Sequence, residues 1–225
     1  MTKTIKHESA HDGISTKQKI VTCAVNLFAM KGYTETTIRE LADAVGVKGA
    51  SIYNHFPSKN AILEYIMADY VVFISGTFDK DVAFAKLREN PTADGIMGCF
   101  NLHFPEGTTD YYLKVICVFL QEQYRNPVIH DFVASQHILQ AEHDAKAIFL
   151  ILKELNVIRE DTDIDPWVKT LSSLLYTFSS RMALGMGDAS PDFSGKGLVE
   201  LFRFHIDLML SICAVKAPER PAGTP

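Results

Sequence analysis

Apolar residues recur at helical spacing along most of the chain, and residues 66–215 show no alternation of apolar and polar residues of the kind that predicts strands. The pattern predicts a first helix from about Ser15 to Lys31, with Ser15 and Gln18 as a capping box. Further helices are predicted near residues 66–88, 92–103, 109–125, 127–155, 165–186 and 195–215, separated by proline and glycine signals. The chain is therefore expected to be all-α.

Residues 36–59 predict two short helices around a glycine turn. Thr37 with Glu40 three residues later is a helix start signal, because each side chain can satisfy a free amide at the helix end. Gly46 can adopt the left-handed conformation that ends a helix at little cost. The segment is predicted to be a helix-turn-helix.

The second of these helices, about residues 48–55, has an unusual surface. Ile52 and Phe56 can anchor it inward, while its other residues are small or can form hydrogen bonds. Such a face suits the major groove of duplex DNA, where the N-terminal end of a recognition helix reaches base edges. The alternative is that side chains such as Tyr53 and His55 simply pack or face water.

The candidate DNA-binding residues fall into two groups. Those at the start of the helix are expected to face bases, and the others to hold phosphates through hydroxyl, imidazole or ammonium groups. The first group is Lys48, Gly49, Ala50 and Ser51, and the second is Thr37, Tyr53, His55 and Lys59; Asn54 lies on the same exposed surface.

These motifs resemble the DNA-binding domain of the TetR family of bacterial transcriptional regulators. The resemblance rests on residues 36–42, Gly46-Val47, residues 51–53 and 55–59, and on apolar positions of the first helix. It implies an all-helical homodimer that binds a palindromic operator, usually as a repressor released by a small molecule. One departure is Lys48-Gly49-Ala50, because many members have Ser or Thr before Lys-Gly and so have a side-chain cap there.

Charge and length agree with a small N-terminal head and a larger body. Residues 1–65 contain eight Lys/Arg and six Asp/Glu, whereas the remaining residues contain 14 and 21 and carry the acidic excess of the chain, whose net charge is −5. The predicted organisation is a flexible arm (1–14), a helix-turn-helix domain (15–63), an effector-binding and dimerisation domain (64–215) and a flexible tail (216–225).

No secretory signal or membrane span is expected, because the N-terminal lysines precede no apolar run and the apolar stretches are short or interrupted by charge. The four cysteines are widely separated and none forms a Cys-x-x-Cys pair, which favours reduced thiols in a cytoplasmic protein.

Two features of the body carry functional expectations. Residues 111–120 are apolar on nearly every face, which predicts a central helix that could line an effector cavity. The candidate lining residues are Phe100, Phe104, Tyr112, Ile116, Phe119, Gln123 and His137, although plain core packing explains each one equally well.

The last two predicted helices have more apolar surface than one subunit needs, which favours a homodimer formed through them. The apolar positions are Trp167, Leu171, Leu174, Leu175, Phe178 and Met182 on one helix and Leu198, Leu201, Phe202, Ile206, Met209 and Cys213 on the other.

Neither a metal site nor an enzyme is expected, and no cofactor is implied. His130 and His137 are two helical turns apart, too far to share one ion, and no catalytic or phosphate-binding motif occurs. A regulator is favoured over two alternatives: a DNA-binding protein without an effector, and a small-molecule binder whose helix-turn-helix is vestigial.

Overall fold

The computed structural model describes residues 15–77, 79–100, 109–184 and 195–215. Within these ranges the chain is helical, with one isolated bridge between Ile158 and Ala214 in place of strands. The all-α prediction is therefore confirmed. The predicted arm (1–14) and tail (216–225) and the candidate residue Phe104 lie outside the described residues.

The helices are α1 (Thr16–Lys31), α2 (Ile38–Val45), α3 (Gly49–Tyr53), α4 (Lys59–Thr77), α5 (Lys80–Glu89), α6 (Ala93–Met97), α7 (Thr109–Glu122), α8 (Pro127–Val133), α9 (Gln140–Glu154), α10 (Asp165–Leu184) and α11 (Gly195–Cys213). A π-helical turn, Ala134–Leu139, joins α8 to α9. Three of the helices predicted between residues 66 and 215 thus differ from the structure. The helix near 92–103 corresponds, within the described residues, to the short α6. The helix near 66–88 is divided between α4 and α5, where the Asp79 side chain accepts from the Val82 amide and caps α5. The helix 127–155 contains the π-helical turn.

The chain forms two compact units, which divide after Ile66. In the N-terminal unit, the side chains of Ile20, Ala24 and Phe28 on α1 are completely buried. Leu41 and Ala42 on α2 are buried as well. Ser58 caps the start of α4 by accepting from the Ala61 amide at 3.1 Å. This small core positions α2 and α3.

The C-terminal unit comprises residues 67–225 and is built around α7, α9, α10 and α11. Its core includes Phe149, Phe202 and Ile206, all almost fully buried. Val115, Val118 and Phe119 on α7 are also buried, as expected for the central helix that the sequence predicted.

The stretch Lys59–Glu89 is long and apolar enough to cross a membrane by length and composition, a criterion that core helices of soluble proteins also meet. In the structure it is interrupted before α5, and α4 buries Ile62, Leu63 and Tyr70 within the protein. Packing accounts for this part of its apolar character.

Candidate DNA interface and effector cavity

The start of α2 is fixed by a complete capping box. The Thr37 hydroxyl accepts from the Glu40 amide at 3.2 Å and donates to Glu40 Oε2 at 2.8 Å, and the Thr37 amide donates to the same carboxylate at 2.9 Å. Lys31 from α1 pairs with the other carboxylate oxygen at 2.5 Å. Hydrogen bonding by Lys31 is the largest cause that lowers the pKa of Glu40 to about 2, so this carboxylate stays ionised.

The turn between α2 and α3 depends on the backbone of Gly46. Its φ of 78° and ψ of 34° are left-handed, and its amide donates to Ala42 and Asp43 carbonyls. A side chain here would meet no atom within 4 Å, so conformation rather than space explains the glycine.

Helix α3 presents the surface expected of a recognition helix. Ile52 and Phe56 are buried, whereas Lys48, Ala50, Tyr53, Asn54 and His55 are exposed and Gly49 and Ser51 are partly so. The Tyr53 side chain in particular is a large group left 55% exposed. The helix spans only Gly49–Tyr53, shorter than predicted, and Lys48 at its N-cap makes no side-chain capping bond.

Two predicted phosphate contacts have other partners. The Lys59 ammonium donates to the carbonyls of Tyr33, Thr34 and Thr36 at 2.7, 3.1 and 2.8 Å. Because an ammonium has three donors, this arrangement uses them all. The Thr37 hydroxyl proton is similarly engaged by Glu40. In this conformation both side chains therefore hold the domain together and offer no donor to a phosphate.

A cavity of about 300 Å³ lies in the C-terminal unit. Helices α4, α9 and α10 and the π-helical turn supply most of its lining, which is Tyr70, Val71, Ile74, Ser75, Lys80, Cys99, Phe100, Gln136, His137, Gln140, Ala141, Asp144, Leu175, Tyr176 and Ser179. Of the seven predicted lining residues, Phe100 and His137 line this cavity.

The prediction for α7 was wrong as to lining. Tyr112, Ile116, Phe119 and Gln123 are at most 9% exposed and do not line the cavity, because the central helix is enclosed by its neighbours. Two of them contact residues that do line the cavity: Phe119 packs edge-on against His137, and Gln123 hydrogen-bonds Tyr176.

His137 lies in the π-helical turn, and its ring stacks on Tyr70 with centroids 5.4 Å apart. The residue is partly exposed, but its Nε2 atom is buried and has no hydrogen-bond partner among the described residues. Burial lowers the pKa of His137 to about 4, so the imidazole is neutral at pH 7.

Other lining residues escaped the sequence analysis. Three of them, Gln136, Gln140 and Asp144, are polar residues spaced four apart. This spacing places them on one side of a helix and could have been recognised in the sequence. Tyr70 and Lys80 offered no such pattern, since their position depends on how distant helices pack.

The expected dimer face needs correction. Phe202, Ile206, Met209 and Cys213 are at most 2% exposed because they form the core of their own subunit, as do Leu171 and Phe178 on α10. The side chains of Met182 and Leu198 lie outside the described residues. Of the predicted α11 positions, Leu201 is exposed, and it lies on an apolar face with three residues that the prediction did not include, Phe204, Leu208 and Ile212.

Among the described residues, no group of three or more side chains could hold a metal ion. His130 and His143 instead contact the neighbouring carboxylates of Asp131 and Asp144.

Comparison with known proteins bears on the N-terminal unit. Residues 20–66 match the family model described as bacterial regulatory proteins, tetR family. The N-terminal unit is a TetR-family DNA-binding domain. Within the matched range lie the α2 capping box, the Gly46 turn and α3.

Curated relatives share this domain with the chain. The transcriptional repressor KstR2 of Mycolicibacterium smegmatis is 30% identical over 77 residues, which cover 33% of this chain and 38% of the repressor. The negative transcriptional regulator IcaR of the Staphylococcus aureus biofilm operon icaADBC is 48% identical over 48 residues, covering 21% and 26%. The matches thus span well under half of each relative. Both are regulators and not enzymes, in agreement with the sequence prediction.

Solved structures extend the likeness in fold to most of the chain. The MbdR regulator of Azoarcus sp. CIB is 16% identical with a TM-score of 0.64, over 86% of this chain and 98% of MbdR. A transcriptional regulator of Saccharomonospora viridis, solved in complex with choline, is 21% identical with a TM-score of 0.58, over 89% and 98%. The TetR-family domain is therefore followed by a helical body of the kind found in such regulators.

Proposed function

We propose that this protein is a homodimeric, sequence-specific transcriptional repressor whose affinity for a palindromic operator is lowered by a small molecule. The observation that carries the proposal is α3: a short helix anchored by Ile52 and Phe56, whose outer face is exposed and either small or hydrogen-bonding. The curated relatives that share the domain are repressors, which supports the same sign of regulation. Such a protein acts in the cytoplasm, where the DNA is.

The proposed DNA contacts follow the exposure of the side chains. Lys48 and Ser51 read base edges, and Gly49 and Ala50 allow the helix to approach the groove. Tyr53, Asn54 and His55 are exposed at the other end of α3 and donate to phosphates. Lys59 and Thr37 act indirectly, by holding the loop before α2 and the start of α2 in place.

The proposed dimer forms through the exposed apolar side chains of α11. Leu201, Phe204 and Leu208 are each at least 41% exposed in the isolated chain, and a second copy of the same helix would cover them. A two-fold pair supplies the two recognition helices that a palindrome requires, about 34–36 Å apart.

The cavity is the proposed effector site. Helix α4 begins with Lys59, which binds the loop before α2, and it contributes Tyr70 to the cavity wall. The same helix therefore takes part in both DNA binding and effector binding. An effector lowers operator affinity only to the extent that it binds the non-binding conformer more tightly. The S. viridis regulator, which has this fold, was solved in complex with choline, and this supports a small-molecule effector for the fold.

Selection from random duplex DNA tests the proposal. Purified full-length protein at near-physiological salt is expected to enrich one palindrome, and Lys48→Ala or Ser51→Ala should change the preferred bases. Tyr53→Phe should weaken binding to all retained sequences about equally, because it removes a phosphate contact. If wild-type protein retained duplexes without sequence preference, the proposal would be wrong.

A further inference from the structure

The imidazole of His137 is an incomplete hydrogen-bonding group in the wall of the cavity. Nε2 is buried and unpartnered among the described residues, while Tyr70, Phe119 and Phe132 surround the ring. A buried polar atom without a partner destabilises the protein, and a ligand that supplies the partner removes that cost. The π-helical turn that carries His137 is a rare conformation found often at functional sites.

The charged side chains of the cavity lining are paired with each other, and the Tyr176 hydroxyl also has a partner. Asp144 binds Lys80 at 2.6 Å and accepts from Gln140 at 2.9 Å. Tyr176 and Gln123 exchange hydrogen bonds at 2.9 and 3.2 Å. The two charges in the described lining thus cancel, which leaves no unpaired charge to bind an ionic ligand.

The size and walls of the cavity restrict the ligand further. A volume of about 300 Å³ holds roughly a dozen non-hydrogen atoms at protein packing density. Four flat rings, those of Tyr70, Phe100, His137 and Tyr176, contribute to the lining and suit a flat apolar body.

We propose that the cavity binds a small, neutral aromatic compound with a hydroxyl group, and that this hydroxyl pairs with the His137 imidazole. The hydroxyl donates to Nε2 of the neutral ring that carries its proton on Nδ1, which an ether oxygen cannot do. Because Nε2 is buried in this conformation, the proposed pairing requires the ring to turn about its side-chain bonds toward the ligand. The inference rests on the proposed function for its regulatory consequence but concerns binding alone.

Three naphthyl probes of similar size test this inference by calorimetry on the full-length protein. Naphthol is expected to bind about tenfold more tightly than naphthyl methyl ether, which cannot donate, and than naphthoate, which is charged. His137→Phe keeps a flat ring but removes both nitrogens, and it should bring naphthol and the ether to within about twofold of each other. His137→Gln should restore part of the difference, and His130→Phe, at an exposed histidine outside the cavity lining, should leave it unchanged.

Several outcomes would overturn the inference: equal affinity for naphthol and the ether, tighter binding of naphthoate or of choline, no binding of any naphthyl probe, or a naphthol preference that survives in both His137 variants. DNA selection is measured separately without probes. A selected palindrome without a naphthol preference would refute the ligand class and leave the regulator intact. A naphthol preference that depends on His137, without a selected palindrome, would do the reverse.

Discussion

At the scale of single residues, Lys59 shows how one side chain can organise a DNA-binding domain without touching DNA. Its ammonium donates hydrogen bonds to three backbone carbonyls of residues 33–36, and it also lies 4.4 Å from the centroid of the Tyr33 ring. These contacts fix the loop that delivers Thr37 to the start of α2. The ammonium gives these loop carbonyls a donor, and the Tyr33 carbonyl also accepts from the Thr36 amide at 3.3 Å.

Replacement of Lys59 should therefore be felt in stability. Lys59→Ala is expected to lower the free energy of unfolding by about 1–3 kcal/mol, since partly buried carbonyls lose a charged donor. Urea unfolding of the full-length protein measures this, with exposed Lys48→Ala as the control that should stay within about 0.5 kcal/mol of wild type. Unchanged stability with weaker DNA binding would instead assign Lys59 to phosphate.

His137 gives the protein a predictable response to acid. Its pKa falls from 6.5 to about 4 on folding because of burial, so between these values the unfolded chain binds a proton that the folded chain does not. Stability should consequently fall as the pH falls from 6.5 towards 4. Tyr70, which faces the ring, has its own pKa raised by burial and stays neutral throughout.

The expected size of this effect is about 1–2 kcal/mol between pH 7 and pH 5. Urea unfolding at the two values, in wild type and in His137→Phe, isolates the contribution of this residue from that of other groups. The wild-type protein should lose more stability than the variant over this range. An equal loss in both proteins would show that the imidazole is solvated.

The exposed residues of α3 could be predicted from sequence. Once Ile52 and Phe56 are assigned to the interior, the orientation of so short a helix is fixed and the remaining side chains must face outward. The cavity lining could not be predicted in this way. Phe119 and Phe100 are similar apolar residues of the predicted core, yet Phe119 packs behind His137 while Phe100 reaches the cavity. The difference depends on helix packing, which periodicity does not encode.

At the scale of elements, helix ends were more predictable than helix interiors. Caps are local chemistry, and Ser15 and Thr37 accept from the Gln18 and Glu40 amides at the helix starts that the sequence predicted. The π-helical turn is different, because one wide turn within a helical pattern leaves no clear signature. That turn places His137 in the cavity wall.

The capping box of α2 should make a measurable contribution to the N-terminal unit. Thr37→Ala is expected to cost about 1 kcal/mol, since it removes the acceptor for the Glu40 amide, while Thr37→Ser should retain most of the stability. Thermal unfolding compares the two variants directly. If Ala and Ser behaved alike, the capping bond would contribute nothing to stability.

At the scale of the whole molecule, α11 has two apolar faces with different roles. One is the intrachain core around Phe202 and Ile206, and the other is the exposed stripe of Leu201, Phe204, Leu208 and Ile212. Sequence periodicity identified an excess of apolar residues and included the exposed Leu201, but it assigned mainly core residues of α11 to the dimer. Only packing against the rest of the unit separates the two faces.

A charge on the exposed stripe should separate the proposed subunits. Leu208→Glu is expected to shift the protein to monomer in sedimentation at micromolar concentration, because the charge would be buried between two copies. Glu200→Gln, on an exposed position of the same helix, is the matched control and should remain dimeric. A dimer that survived Leu208→Glu would place the interface elsewhere.

The central claim is that two copies of the helix-turn-helix read two half-sites of one operator. The most direct measurement titrates the full-length protein onto the selected palindrome and onto a copy with one half-site scrambled, at the same near-physiological salt, and determines the number of subunits bound. The account predicts two subunits per palindrome and at least about a hundredfold loss of affinity when one half-site is scrambled, because several base contacts disappear together. Equal affinity for the two duplexes, or one subunit per palindrome, would contradict it.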